Sequence, residues 1–138
     1  MKVKLAYYIS ELRRDFVKEC SRKLQEDDLT PGLLYPVLYI GRHPGCSPKE
    51  LTEALHMDWG LTQRTLDRLV ASHLISREKN PLDRRRFSLN LTKEGSQVFQ
   101  KSHDIIVSWN EEKLALLTPQ EQTCLESALK KMLGNGTV

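Results

Sequence analysis

The sequence predicts a mainly α-helical protein carrying one small β-hairpin, on three observations. Helix start signals recur along the chain, with Ser47-Pro48-Lys49-Glu50 and Thr118-Pro119-Gln120-Glu121 each placing a hydroxyl, a proline and a glutamate in capping-box order. Between and beyond these signals, apolar residues return at three- and four-residue intervals, the spacing of a helix face. One stretch breaks that rhythm: Phe87, Leu89 and Leu91 alternate with Arg86, Ser88 and Asn90, the period of a half-buried strand.

The elements follow in order. Val3 to about Leu24 reads as an amphipathic helix with Leu5, Tyr8, Ile9, Leu12, Phe16 and Cys20 on its apolar side. After Glu26-Asp27-Asp28, Leu29-Thr30-Pro31 starts a second helix. It runs to about Arg42 through Leu33, Leu34, Val37, Leu38 and Ile40, and His43-Pro44-Gly45 ends it. The Ser47 capping box opens a short third helix carrying Leu51, Ala54 and Leu55, closed by His56-Met57-Asp58. Asp58 then caps a fourth helix from about Trp59 to about His73. On it Trp59, Thr62, Leu66, Leu69 and Val70 are expected to pack inward, and Gly60, Leu61, Arg64, Arg68 and Ala71 to face out.

Leu74 and Ile75 start the first strand, and Asn80, Pro81 and Asp83 make Lys79 to Arg85 a turn. Thr92 caps a long helix bearing Val98, Phe99, Ile105, Ile106, Trp109 and Leu114. From Thr118 a last helix carries Cys124, Leu125, Ala128, Leu129, Met132 and Leu133, and Gly134 ends it. Two helices joined by a tight turn and followed by a basic hairpin make a winged helix-turn-helix, here spanning residues 30–95. Helical segments 1–28 and 96–138 flank it, with apolar stripes wider than a 138-residue monomer readily covers. They are expected to pair with a second copy, within a single domain spanning residues 1–138.

The charge distribution marks the hairpin as a contact surface. From Arg77 to Arg86 there are five basic and two acidic residues, a local +3 that equals the formal net charge of the chain. Guanidinium groups on a firm loop suit a phosphate backbone or an A·T-rich minor groove. The outward face of the fourth helix, small-sided with an apolar tip and two arginines, suits a major groove. Candidate DNA contacts are therefore Leu61, Thr62, Gln63, Arg64, Thr65 and Arg68 on the helix, and Asp83, Arg84, Arg85 and Arg86 on the wing. Asp83 is expected to align the Arg85 guanidinium, with Arg64 and Leu61 reading base edges.

The stretch Leu66 to Gly95, LDRLVASHLISREKNPLDRRRFSLNLTKEG, resembles the signature of MarR-family transcriptional regulators. It matches a recognition helix ending in D-R-L, a strand start near G-L-[IV]-x-R, a D-P-x-D-R-R wing and a closing L-T-x-x-G. The order of elements outside it fits that family as well. Three departures stand out: His73 where the family has glycine, Asn80 for the first wing aspartate, and Pro36 inside the second helix. A glycine would take positive φ at position 73 at little cost, so His73 implies local strain. The resemblance implies a homodimeric, ligand-responsive repressor on a roughly palindromic operator. It also implies a site for a small aromatic effector between the dimer helices and the winged lobe, where Tyr7, Tyr8, Phe16, Tyr35 and Tyr39 could supply walls and hydroxyls.

Other classes find less support. The sequence has no Gly-rich phosphate loop, G-x-S-x-G or H-E-x-x-H motif, so no enzyme, metal site or cofactor is expected. His43 and Cys46 lack a second ligand pair, while His56, His73 and His103 stand alone. Glu111 and Glu112 are adjacent and so diverge on a helix. A mean hydropathy of −0.48 leaves no membrane-spanning run, and three cysteines without C-x-x-C spacing point to reduced thiols in the cytoplasm. Two alternatives to a DNA-binding regulator are a winged helix that docks protein and a redox regulator using Cys20. Arginines at both contact points favour DNA over protein docking. Cys20 lies later in the first helix than the reactive cysteine of peroxide-sensing relatives, so a buried structural thiol is expected.

Overall fold

The structure, a computed structural model, describes residues 2–25, 29–83 and 85–134. Its elements are α1 (Leu5–Leu24), α2 (Pro31–Arg42), α3 (Pro48–Ala54), α4 (Trp59–Ala71), β1 (Ile75–Lys79), β2 (Phe87–Leu91), α5 (Lys93–Leu114) and α6 (Pro119–Leu133). The order and type of elements are those the sequence predicts. The chain divides into two compact units, Met1–Ile105 and Ile106–Val138, so packing separates within α5. The end of α1 and the first half of α5 therefore belong to the unit that holds the winged lobe.

α2 is the central beam of the first unit. Leu33, Leu34, Pro36, Val37, Leu38 and Ile40 are all buried on it, and it packs against α1, α3, α4 and β2. Each such aliphatic side chain contributes roughly 1.5–3 kcal/mol on burial. Pro36 interrupts neither the helix nor its packing: its missing N–H leaves one carbonyl in the first turn to other partners, and its ring joins the core. Cys20 and Leu24 at the end of α1, Leu51 of α3, and Leu66 and Leu69 of α4 complete this core with Leu74, Ile75 and Leu89 of the hairpin.

The hairpin is antiparallel, with Ile75 opposite Leu91, Arg77 opposite Leu89 and Lys79 opposite Phe87. A third edge lies outside the sequence expectation: Cys46, just before α3, bridges Leu89, with Gly45 N–H donating to the Leu89 carbonyl at 2.8 Å and Leu89 N–H to the Cys46 carbonyl at 2.8 Å. This bridge fixes the root of the wing to the turn ahead of α3. Thr92 closes the other side, its hydroxyl donating to the His73 carbonyl at 2.6 Å and accepting from Gly95 N–H at 3.0 Å. Gly95 is required there, because a Cβ would sit 1.9 Å from the Leu74 carbonyl oxygen.

Both helices of the helix-turn-helix end in the same way. His56 (φ 51°) and His73 (φ 60°) are left-handed residues. The next N–H in each case reaches back five residues, from Met57 to the Thr52 carbonyl at 3.1 Å and from Leu74 to the Leu69 carbonyl at 3.0 Å. That is a Schellman closure, whose left-handed position glycine fills most cheaply. The strain expected at His73 is thus present, and α3 shares it at His56.

Candidate nucleic-acid interface

Asp58 begins the site. Its carboxylate accepts from Leu61 N–H at 2.8 Å, closing the first turn of α4. From there α4 divides as an amphipathic helix must. Thr62, Thr65, Leu66 and Leu69 are buried, whereas Leu61, Arg64, Asp67, Arg68 and Ala71 are exposed on the outer side. The guanidinium of Arg64 lies close over Gly60, with Nη1 3.3 Å from where a Cβ would stand, so glycine gives that arginine room.

Two of the predicted contact residues do not reach this face. Thr62 is fully buried, its hydroxyl 3.1 Å from the Asp58 carbonyl and hydrogen-bonded to the Thr52 hydroxyl at 2.8 Å. It ties α4 to α3 and holds the angle between the two helices. Thr65 is buried as well. Helical spacing puts both on the Leu66–Leu69 side, although their polarity suggests the opposite. Trp59 is the converse correction: expected inward, it is 56% exposed at the head of α4.

The wing is a closely tied loop. Asn80 N–H donates to the Arg86 carbonyl at 2.7 Å, Asp83 N–H to the Asn80 carbonyl at 3.2 Å and Arg86 N–H to the Asp83 carbonyl at 3.0 Å. Side chains add two turns: the Asn80 Oδ1 accepts from Leu82 N–H at 2.9 Å, and the Asp83 Oδ1 accepts from Arg85 N–H at 3.0 Å. Asp83 therefore orders Arg85 through the main chain, while its second oxygen lies 3.6 Å from the Arg86 guanidinium. The alignment of the Arg85 guanidinium by Asp83 expected from sequence is replaced by this arrangement, which leaves the exposed Arg85 side chain uncommitted to Asp83. Asn80 supplies the same service that an aspartate would. Arg84, the remaining predicted wing contact, lies outside the described residues.

Recognition helix and wing are joined by a pair the sequence did not reveal. The Arg77 guanidinium on β1 donates to the Asp67 carboxylate on α4 at 3.0 Å and sits 5.6 Å from the centre of the Phe87 ring on β2. An exposed ion pair adds little stability, but this one fixes the wing beside α4. Residues ten apart on different elements leave no periodic trace. Between α3, α4 and the hairpin lies a groove of about 700 Å³. Trp59 and Gln63 of α4 share its wall with Arg77, Arg85, Arg86 and Phe87 of the wing. The head of the recognition helix and the arginines of the wing therefore face one space.

The aromatic side chains proposed for an effector lie elsewhere. Tyr7 and Tyr8 are exposed near the start of α1 with ring centres 5.9 Å apart, and Phe16 is half-buried. On α2, Tyr35 is half-exposed, and Tyr39 stacks on His43 with ring centres 4.2 Å apart. None of the five lines the groove beside α4.

The thiols are free. Burial and the neighbouring Glu19 push Cys20 up from its usual range, and burial with Glu50 pushes Cys46 up to about 11. Both stay as unreactive thiols at neutral pH, which counts against a Cys20 redox sensor. Cys124 is exposed. Among the described residues, no group of three or more histidine, cysteine, aspartate or glutamate side chains is placed to hold a metal ion.

Residues 28–86 match the MarR family. Over 132 residues the chain is 36% identical to the HTH-type transcriptional regulator BilQ of Clostridium symbiosum, covering 96% of this chain and 92% of that one. It is 35% identical to the multiple antibiotic resistance protein MarR of Escherichia coli over 101 residues, 72% of this chain and 70% of the relative. The fold is similar to that of a mutant E. coli MarR crystallised with operator DNA, with a TM-score of 0.83 at 28% identity across 96% of this chain and 95% of that one.

Proposed function

Since the chain belongs to the MarR family of transcriptional regulators, we propose that it represses transcription by binding a roughly palindromic DNA operator as a homodimer. The family acts as dimers, and the relative crystallised on operator DNA shares this fold. The observation that carries the reading is the shared groove, whose wall joins Trp59 and Gln63 at the head of α4 to Arg85 and Arg86 of the wing, while Leu61, Arg64 and Arg68 stand exposed on the same helix. In the proposed complex Arg64 and Leu61 meet base edges in the major groove, with Gln63 and Arg68 beside them. Arg85 enters the adjoining minor groove, and Arg84 and Arg86 meet phosphates. Thr62 and Thr65 act behind α4, and Asp83 acts by shaping the loop.

The dimer is proposed to form through the exposed apolar faces of α1 and α6. Leu5, Ile9 and Leu12 on the first, and Leu125, Leu129 and Met132 on the second, are all more than a third exposed. A twofold axis would then set the recognition helices about 34–36 Å apart, in successive major grooves. An aromatic effector near Tyr7, Tyr8, Phe16, Tyr35 and Tyr39 would act by binding one spacing of the helices more tightly than the other. Among the described residues, no helix is long and apolar enough to cross a membrane, and we place the protein in the cytoplasm with its operator. Selection of bound duplexes from a random pool tests the reading. An enriched inverted repeat with half-sites about one helical turn apart supports it, and an unenriched pool refutes it.

A further inference from the structure

The tip of the wing carries a residue that none of the foregoing roles uses. Leu82 is 97% exposed, between the loop proline and the aspartate that shapes the arginine turn. A single exposed leucine is ordinary on a protein surface; its mounting is the informative feature. Pro81 fixes the backbone before it, its own N–H is held by the Asn80 side chain at 2.9 Å, and Asp83 N–H is held by the Asn80 carbonyl at 3.2 Å. The chain therefore presents an isobutyl group at the apex of a tied loop, a few residues from Arg85 and Arg86. An almost fully exposed apolar side chain thus stands on a basic loop.

We propose that Leu82 is a specificity residue that rests on the floor of the minor groove and selects A·T over G·C pairs there. This rests on the DNA-binding reading above and extends it to a base-discriminating contact. A·T pairs show only acceptors, adenine N3 and thymine O2, on the minor-groove edge, whereas guanine adds its projecting N2 amino group. A leucine methyl cannot accept a hydrogen bond, so over a G·C pair it strips water from that amino group and leaves it unsatisfied. Over an A·T pair there is no donor to strand, and the groove floor lies clear of the amino group's bulk. Arginine in a narrow groove also favours A·T tracts, through shape and potential. The two mechanisms differ in the side chain they depend on: only the apolar contact is lost with Leu82.

Leu82→Ser separates them, and inosine isolates the amino group, because an I·C pair lacks it and presents an A·T-like minor-groove edge. Taking an operator selected by the wild-type protein, each A·T pair flanking the half-sites is replaced by G·C or by I·C. Binding of the dimer is followed by fluorescence anisotropy. Wild type is expected to lose about tenfold in affinity with G·C at the wing position and to recover it with I·C. Leu82→Ser is expected to bind the three duplexes within about twofold of one another. Its dependence on salt should match wild type, because every basic side chain that meets a phosphate is still in place. Its thermal midpoint should be unchanged, because the side chain touches nothing in the fold. Tenfold discrimination retained by Leu82→Ser, or absent from wild type, overturns the inference and leaves the operator-binding reading standing. Wild type that fails to bind any selected duplex removes both.

Discussion

α2 and α6 are similar in sequence character and opposite in fate. Each begins with threonine and proline, and each carries a stripe of leucine and other apolar side chains. Yet α2 buries six residues and α6 buries none. The difference is one of available partners. The face of α2 meets four other elements of its own chain, while Leu125, Leu129 and Met132 stay more than 40% exposed. Apolar periodicity thus tells which side of a helix will be buried, without telling whether the covering surface belongs to the same chain. In a dimeric family, the unsatisfied helix is where we propose that a second copy packs.

This contrast is open to direct attack. The largest effect is expected from Leu34→Ala, which empties a fully buried site in α2. It should destabilise each subunit by about 2–5 kcal/mol, read as a lower denaturant midpoint. Leu129→Asp on α6 should leave the far-ultraviolet circular dichroism of each subunit intact and weaken dimerisation by about 2 kcal/mol, or about thirtyfold, in sedimentation equilibrium. If Leu129→Asp stays dimeric and Leu34→Ala instead separates the subunits, the contrast is drawn the wrong way round.

A smaller effect is expected at the left-handed helix ends. His73→Gly relieves a positive φ of 60° and should stabilise the winged unit by roughly 0.5–1 kcal/mol, the strain relieved being partly offset by the added freedom of glycine when unfolded. A lower midpoint for His73→Gly would show that the imidazole contributes something that the backbone argument omits.

The smallest effect concerns the thiols, and at neutral pH it vanishes. Cys46 holds its proton more tightly folded than unfolded, with its value pushed up to about 11 from an ordinary 9.0. The unfolded chain therefore binds fewer protons over that interval, and stability falls as pH rises from about 9 towards about 11, with no change below. Cys46→Ala should show a shallower alkaline fall than wild type in urea midpoints. At pH 8, alkylation should modify Cys124 first and leave Cys20 and Cys46 protected. Rapid modification of the Cys20 thiol under those conditions would reopen the redox reading.

Most of this was legible in the chain because the signals were local. The cap at Ser47, where Glu50 does not reach back to complete the expected box, the full capping box at Thr118, the cap at Asp58 and the alternation from Phe87 to Leu91 each specify structure within a few residues, and each element lies where they put it. What escaped was set by tertiary partners. The Asp67–Arg77 pair and the Cys46–Leu89 bridge join residues brought together only by folding. Thr62 was legible as inward by spacing and misplaced among the contacts by its polarity, whereas Trp59 was placed inward by the same spacing and is exposed at the first residue of α4. The wing arginines were plain from composition, but the device that orders Arg85, a carboxylate on its main-chain N–H, follows from the turn.

That the outer face of α4 reads base sequence in the major groove, while the wing arginines add electrostatic affinity, is decided by repeating the random-duplex selection with Arg64→Ala. The account expects the variant to enrich the same inverted repeat with preference relaxed at one base pair in each half-site, at a cost of about 1–3 kcal/mol for each bidentate arginine–guanine pair removed. Uniform weakening on every duplex, with the base preferences of wild type intact, would make Arg64 a phosphate contact and contradict it.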